Sequence, residues 1–194
     1  MSPAGRPVQT TPEQWAQAAL AEIERAGVGA LAVQSVARAL GVSKGGFYHH
    51  FASRRELLLA ALALWQERYV EQLTLRFEAV VDPRQRLHAL LVHAGIELEP
   101  TVIVQLMAAA DDPDVEAALA RAASSRLELL EGIFAELGFT AAQSRNRAVL
   151  AYSAYLGLAE LRRHAPGVLA SPAQMRAYLN GLEQALLRRE PDQR

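Results

Sequence analysis

Apolar residues recur three or four positions apart along most of the chain, as they do on one face of an α-helix. Over residues 113–138 this spacing produces an apolar stripe of Leu119, Ala123, Leu127, Leu130, Phe134 and Leu137. Apolar and polar residues do not alternate one by one in any segment, as they would along a half-buried β-strand. The pattern therefore predicts an all-α fold.

Short sequences that favour helix starts precede many of these stripes. A threonine or serine is followed three residues later by glutamine or glutamate at Thr11–Gln14, Ser53–Glu56, Thr140–Gln143 and Ser171–Gln174, the spacing of a capping box. Asp82-Pro83 and Asp112-Pro113 combine an N-cap residue with proline in the first helical position. These starts and the apolar periodicity predict about nine helices, over residues 12–26, 33–40, 44–50, 54–80, 83–96, 101–110, 113–137, 141–164 and 172–189.

The composition narrows the class of protein. The chain has 194 residues, a net charge of −1 and no cysteine, which excludes disulfides and thiolate metal sites. The longest uncharged apolar run, residues 148–159, is too short to span a bilayer. We expect a soluble, cytoplasmic protein with no membrane association and no cofactor.

Positive charge is concentrated in the N-terminal part. Residues 1–55 contain six arginines or lysines against three glutamates, although the whole chain is slightly acidic. Such an asymmetry favours a polyanionic partner for the basic part alone.

The predicted helices 33–40 and 44–50 are short and are separated by a tight turn at Gly41. Glycine permits the backbone conformation that such a turn needs, Ser43 is placed to cap the second helix, and Phe47 supplies an apolar wedge between the two helices. This arrangement predicts a helix-turn-helix.

The second of these helices has an unusual outward face. At 100° per residue, Phe47 and Phe51 face the core, whereas Gly45, Gly46 and His49 point away from it. Lys44, Tyr48 and His50 follow along the flanks. Our hypothesis is that the glycines let the helix lie deep in a DNA groove while the flanking side chains reach phosphates.

Residues 27–62 resemble the N-terminal domain of TetR-family transcriptional regulators, an AcrR-like helix-turn-helix domain. The matching pieces are "VQSVA", the turn "LGVS", the recognition helix "GGFYHHF" and "SRRELL" at the start of the fourth helix. The resemblance implies a DNA-binding domain over residues 1–53 and a helical ligand-binding and dimerisation domain over residues 54–194. It also implies a homodimer that binds a palindromic operator and, in most such proteins, a repressor that is released by a small-molecule effector.

The resemblance also implies individual roles. Lys44, Tyr48 and His50 match phosphate contacts, Gln34, Gly45 and His49 match positions of base contacts, and Arg54 matches a basic residue that clamps the DNA backbone; Ser43 and Gly46 complete the predicted DNA-binding set. Two positions depart from the family pattern, because Ala32 and Gly46 stand where the family commonly has hydroxyl-bearing residues. We therefore expect more readout of DNA shape than of base edges.

The two C-terminal helices are apolar over a wider arc than one contact face requires. Together with the resemblance, this predicts a four-helix dimer interface that includes Leu150, Ala154, Gly157, Leu158, Leu161, Met175, Tyr178, Leu182 and Leu186.

An effector pocket is expected among the helices between residues 54 and 164. The predicted lining combines aromatic faces, a thioether and a few polar groups: Trp65, Tyr69, His93, Gln105, Met107 and Tyr152. A mostly apolar, neutral or weakly anionic compound fits this set.

Nothing in the sequence argues for an enzyme, and an all-α enzyme is the weakest of the hypotheses. The histidine spacings at His49-His50 and at His88 and His93 are unsuited to a shared metal ion, so no metal site is predicted. The main alternative to a regulator is a helical module that senses a small molecule or a protein and has weak or vestigial DNA binding.

Overall fold

The computed structural model describes residues 10–68, 75–77, 79–97 and 101–189, and within these ranges the secondary structure is helical without a strand. The α-helices are α1 (Pro12–Ala26), α2 (Val33–Ala39), α3 (Lys44–Phe47), α4 (Arg54–Gln66), α5 (Pro83–Val92), α6 (Thr101–Met107), α7 (Pro113–Glu136), α8 (Ala141–His164) and α9 (Pro172–Leu187). A 3₁₀-helix spans Val28–Ala30 and a π-helix spans His93–Glu97. The all-α prediction is confirmed. No helix in the described ranges is long and apolar enough to cross a membrane.

Three of the predicted capping boxes are complete. In the first, the Gln14 N–H donates to Thr11 Oγ1 at 3.3 Å, and the Thr11 N–H donates to Gln14 Oε1 at 2.9 Å. Equivalent reciprocal hydrogen bonds, between Thr140 and Gln143 and between Ser171 and Gln174, start α8 and α9. Because each box satisfies two backbone donors that the helix itself cannot satisfy, these starts could be located from sequence to the residue.

Two predicted caps differ from expectation. At α4, Ser53 Oγ accepts from the Glu56 N–H, but the Glu56 carboxylate accepts from the Ala52 N–H instead of from that of Ser53. Ser43 makes no side-chain capping bond, so its predicted capping role is wrong. The N–H of Gly46 donates to the Ser43 carbonyl oxygen at 3.0 Å.

The recognition helix is shorter than the predicted range 44–50. It is α-helical over Lys44–Phe47 and continues as a turn through His50. The N–H groups of His49 and His50 donate to carbonyls three residues back, at Gly46 and Phe47. The two glycines are poor helix formers, which favours this tighter turn.

The chain divides into two compact units. Unit 1 comprises Met1–Tyr69 and Thr101–Leu119, and unit 2 comprises Val70–Pro100 and Ala120–Arg194. The functional boundary between residues 53 and 54 stays a prediction.

In unit 1, α1 packs against α2, α4 and α6. Trp15 is fully buried at its centre, and its indole N–H donates to Thr10 Oγ1 at 2.9 Å, which satisfies the one polar group of that side chain. In unit 2, the larger apolar core contains Phe77, Leu87, Leu90, Leu91, Leu129, Leu130, Ile133, Phe134, Phe139, Ala148, Ala151 and Leu186.

Candidate nucleic-acid interface and effector region

The turn between α2 and α3 has the geometry that the sequence predicts. Gly41 has a φ of +68°, a conformation that other L-residues rarely adopt. The Val42 N–H donates to the Ala37 carbonyl and the Gly41 N–H donates to the Arg38 carbonyl, the two bonds of a Schellman motif. A Cβ at Gly41 would meet nothing within 4 Å. Backbone conformation, and not lack of space, therefore requires glycine here.

Phe47 anchors the short recognition helix to unit 1. Its side chain is fully buried, and its ring lies edge-on to Trp15 at 5.5 Å and stacks on Phe51 at 5.6 Å. Tyr48 packs edge-on against the same ring at 5.1 Å while remaining 60% exposed. A single aromatic side chain thus fixes α3 and leaves its neighbours at the surface.

The predicted DNA-binding residues all belong to unit 1. Most are exposed, namely Gln34, Ser43, Lys44, Gly45, Tyr48, His49 and Arg54, while Gly46 and His50 are half-buried. Ala32 is the N-cap residue of α2 and makes no side-chain capping bond, because a methyl group cannot accept one.

Neither Gly45 nor Gly46 is required by the fold. Both lack a positive φ. A Cβ at Gly46 would meet nothing within 4 Å, and one at Gly45 would meet only Ser43 Oγ, at an ordinary 3.6 Å. The absence of side chains at these positions therefore has no explanation in the packing of the described residues.

Arg54 makes contacts that sequence reasoning did not find. Its Nε donates to the Leu31 carbonyl and its Nη2 donates to the Val28 carbonyl, both at 2.7 Å. These bonds tie the start of α4 to the 3₁₀-helix and the residues before α2. Arg54 thus stabilises the DNA-binding unit, and its contact with phosphate stays a prediction.

Glu13 lies near the end of the recognition segment. The pKa of its carboxyl is lowered, mainly by its own backbone N–H and by the Thr11 hydroxyl, with a smaller contribution from the charge of His50. The start of α1 therefore places a carboxylate near one of the predicted phosphate contacts.

The predicted effector residues are distributed over both units. Trp65, Gln105 and Met107 belong to unit 1, whereas His93 and Tyr152 belong to unit 2; Tyr69 lies outside the described residues. Neither unit by itself brings the five described residues into one site.

Unit 2 contains a groove that the sequence analysis did not assign to an effector. It has a cavity volume of only about 20 Å³ and is lined by Leu91, Ala94, Gly95, Ala151, Ala154, Tyr155, Leu158, Tyr178, Leu179 and Leu182. None of the predicted effector residues lines it. Four of its residues, Ala154, Leu158, Tyr178 and Leu182, are instead predicted dimer contacts.

The predicted dimer residues fall into three groups by exposure. Leu158, Met175 and Leu186 are buried within unit 2, so they offer a partner little surface. Ala154, Tyr178 and Leu182 are half-buried, while Leu150, Gly157 and Leu161 are exposed. The apolar arc of each helix is therefore wide because one part of it packs on the chain's own core.

Three side chains in unit 2 form a polar cluster that was largely missed. Arg126 on α7 lies close enough to Tyr152 and Tyr155 on α8 for their charges to interact, and only Tyr152 was singled out from the sequence. A signal was available, because Arg126 is seven residues after Leu119 and four before Leu130, and thus lies on the apolar stripe of α7.

Comparison with known proteins agrees with this architecture. Residues 17–76 match the model of the N-terminal domain of bacterial regulatory proteins of the tetR family. No curated protein matches the sequence. The predicted resemblance of the N-terminal part of the chain to this family is therefore confirmed.

Several solved structures have the same fold. A transcriptional regulator from Rhodococcus sp. Rha1 is 22% identical, with a TM-score of 0.76 over 92% of this chain and 96% of that one. FadR from Bacillus subtilis, solved in complex with stearoyl-CoA, is 15% identical, with a TM-score of 0.67 over 91% and 98%. NalD from Pseudomonas aeruginosa, the secondary repressor of the MexAB-OprM multidrug efflux pump, is 20% identical, with a TM-score of 0.65 over 91% and 94%. The chain thus has the fold of a TetR-family transcriptional regulator.

Proposed function

We propose that this protein is a ligand-responsive transcriptional repressor that binds a palindromic operator as a homodimer. The observation that carries the proposal is the pair of glycines at the recognition helix, of which Gly45 is exposed and Gly46 half-buried. Neither backbone conformation nor packing within the described residues requires glycine at Gly45 or Gly46. Glycine is explained if a partner surface approaches the helix backbone closely, as the floor of a DNA groove does.

The side chains around the glycines have the chemistry to contact DNA. Lys44 supplies a positive charge and Tyr48 a hydroxyl, and both are exposed. Such contacts to phosphates fix the register of a protein on the duplex without reading its sequence. Because glycines have no side chain, they make few contacts with base edges. DNA shape would therefore contribute more to the choice of operator.

The homodimer follows from the symmetry of the proposed operator. A short recognition helix reads a few base pairs, and two related half-sites require two copies of the chain about a twofold axis. The exposed Leu150, Gly157 and Leu161 on α8, together with the exposed Gly181 on α9, are the candidates for the contact. The relatives NalD, described as a repressor, and FadR, solved with stearoyl-CoA, support repression and effector binding by analogy.

A salt titration tests DNA binding directly. A dimer that makes about six to ten phosphate contacts should lose roughly 10³–10⁵ in affinity for duplex DNA between about 50 and 200 mM salt. Lys44→Ala should weaken binding to specific and random duplexes alike and reduce the salt slope by about one contact per half-site. Arg145→Ala, which removes an exposed charge from unit 2, is the control.

Footprinting on the DNA that flanks the protein's own gene should then reveal a palindromic site. Weak duplex binding with little salt dependence, unchanged in Lys44→Ala, would favour the alternative of a sensing module with vestigial DNA binding.

A further inference from the structure

Lys44 is the only lysine in the sequence. The chain has 20 arginines and lysines in total, and every other one is an arginine. A guanidinium stays protonated in proteins, whereas a lysine ammonium can lose its proton and then act as a nucleophile. The amine chemistry of the side chains is therefore confined to one position, and that position is the first residue of the recognition helix α3.

The surroundings of Lys44 leave its side chain accessible. Lys44 is exposed, and no carboxylate of the described residues forms an ion pair with it. The next two residues, Gly45 and Gly46, carry no side chain, and the space in which a Cβ of Gly46 would lie is open to 4 Å. A small reagent or the active site of a modifying enzyme can therefore approach this amine without displacing another side chain.

We propose that Lys44 is an acylation site through which binding to duplex DNA is switched off, and that the acyl donor is an activated acyl compound such as an acyl phosphate. The neutral Nζ attacks the carbonyl carbon of the donor, and a bond between nitrogen and carbon forms. The bond between that carbon and the phosphate oxygen breaks, phosphate leaves with the electron pair, and the amine proton passes to solvent. The product is a neutral amide.

Acylation at this position changes both charge and shape. It removes the positive charge of Lys44 and adds an acyl group directly before the glycine pair, where the proposed contact with the DNA groove needs an unobstructed backbone. Each half-site loses one phosphate contact. Only this consequence rests on the proposed function, since acylation itself is measured by mass spectrometry without DNA.

Acetyl phosphate is the probe, and it is applied to the full chain. Arg145→Lys supplies a second amine for comparison, on α8 in unit 2. The wild-type Arg145 is exposed and lies 4.0 Å from the Glu131 carboxylate. A nearby carboxylate favours the protonated amine, which does not react. In this variant Lys44 should therefore be acetylated several-fold faster than the introduced lysine, as followed by peptide mass spectrometry over time.

The same variant tests where Lys44 lies relative to DNA. An excess of duplex at low salt should slow the acetylation of Lys44 strongly and leave that of the introduced lysine unchanged. Both amines are in one molecule and meet the same reagent, so consumption of acetyl phosphate cannot produce this difference.

The effect on DNA binding is measured before and after treatment. Acetylation should weaken duplex binding by the wild type roughly tenfold or more and reduce its salt slope by about one contact per half-site. Lys44→Arg is the control, because it keeps the positive charge and has no side-chain amine. Treatment should leave its duplex affinity where it was, since a reaction at the α-amine of the chain occurs in both proteins.

Lys44 that stays unmodified, or that reacts no faster than the introduced lysine, would overturn the proposal. Undiminished duplex affinity of the acetylated wild type would do the same. If untreated wild type does not bind duplex DNA, the proposed function fails, and the relative rate of acetylation at Lys44 still decides whether it is an acylation site.

Discussion

Arg55 and Asp114 form a bidentate ion pair that joins the first turn of α4 to the first turn of α7 within unit 1. The Nε of Arg55 lies 2.6 Å from Asp114 Oδ2, and Nη2 lies 2.8 Å from Oδ1. This parallel geometry fixes orientation as well as distance. The pair therefore holds the helix that follows the DNA-binding residues against a segment that lies 59 positions later in the chain.

The first prediction concerns the pH dependence of this pair. The Arg55 side chain, through its hydrogen bonds first and its charge second, lowers the pKa of the Asp114 carboxyl. A carboxyl whose pKa is lower in the folded state contributes stability that is present above its unfolded value of about 3.9 and is lost as the pH falls through the folded value. In urea unfolding, Asp114→Asn should therefore be less stable than the wild type at neutral pH, and the difference should shrink below about pH 4.

Arg25→Gln is the control for this prediction, because Arg25 pairs with Glu22 three residues away on the same helix and does not join two elements. A constant difference between Asp114→Asn and the wild type from neutral to acid pH would contradict the assignment.

The second prediction separates folding from DNA binding at the glycine pair. Gly45→Leu should not destabilise the protein, because a Cβ there meets only an ordinary contact at 3.6 Å and leucine is a better helix former than glycine by up to about 1 kcal/mol. Duplex binding should nevertheless fall strongly, since the added side chain would stand between the helix backbone and the groove. Melting temperature and duplex affinity are measured on the same preparation.

Gly132→Leu provides the matched control for Gly45→Leu. Gly132 lies in α7, in unit 2, and a Cβ there meets nothing within 4 Å. This variant should retain full duplex affinity. If Gly45→Leu also retains it, the recognition helix does not approach DNA in the proposed way.

The helix-turn-helix could be predicted because its determinants are local. Gly41 and Phe47 lie six residues apart, and the turn needs one backbone conformation and one apolar wedge. Capping boxes are equally local, as at Thr11 and Gln14. Such signals act over a few neighbouring residues and can therefore be recognised in the sequence.

The parts that were missed depend on contacts between distant segments. The partners of Arg54 are backbone carbonyls 23 and 26 positions earlier, and no sequence pattern marks a carbonyl as available. Periodicity showed that the last two helices are apolar over a wide arc, but it could not show that Leu158 and Leu186 face the chain's own core. The predicted effector residues failed to come together in one unit for the same reason, because residues 101–119 pack with the N-terminal unit.

The third prediction tests the dimer interface at Gly157. This residue is exposed on α8, and a Cβ there meets nothing within 4 Å, so Gly157→Arg leaves the fold of the single chain intact. It should place a charge between helices that pack closely in the dimer. Sedimentation at micromolar concentration should then show monomers, and operator binding should be lost with them.

Gly132→Arg adds the same side chain to another exposed helical glycine and should remain dimeric. Leu182 is a less informative position, because it is half-buried against the core of its own unit. A wild-type chain that sediments as a monomer would remove the interface from the proposal altogether.

The last prediction follows from the buried phenol of Tyr155, whose pKa is raised to about 12 by its burial. For an acid whose pKa is higher in the folded state, the contribution to stability is complete below the unfolded pKa of about 10 and is lost as the pH rises from there through the folded value. A shift of this size corresponds to roughly 2 kcal/mol of unfolding free energy lost by pH 12. Tyr155→Phe removes the ionisation, so its stability should fall less than that of the wild type between pH 10 and 12, as followed by urea unfolding at each pH. Tyr178→Phe, on α9 in the same unit, is the control and should fall as steeply as the wild type. Parallel losses in Tyr155→Phe and the wild type would show that this phenol is hydrated and not buried.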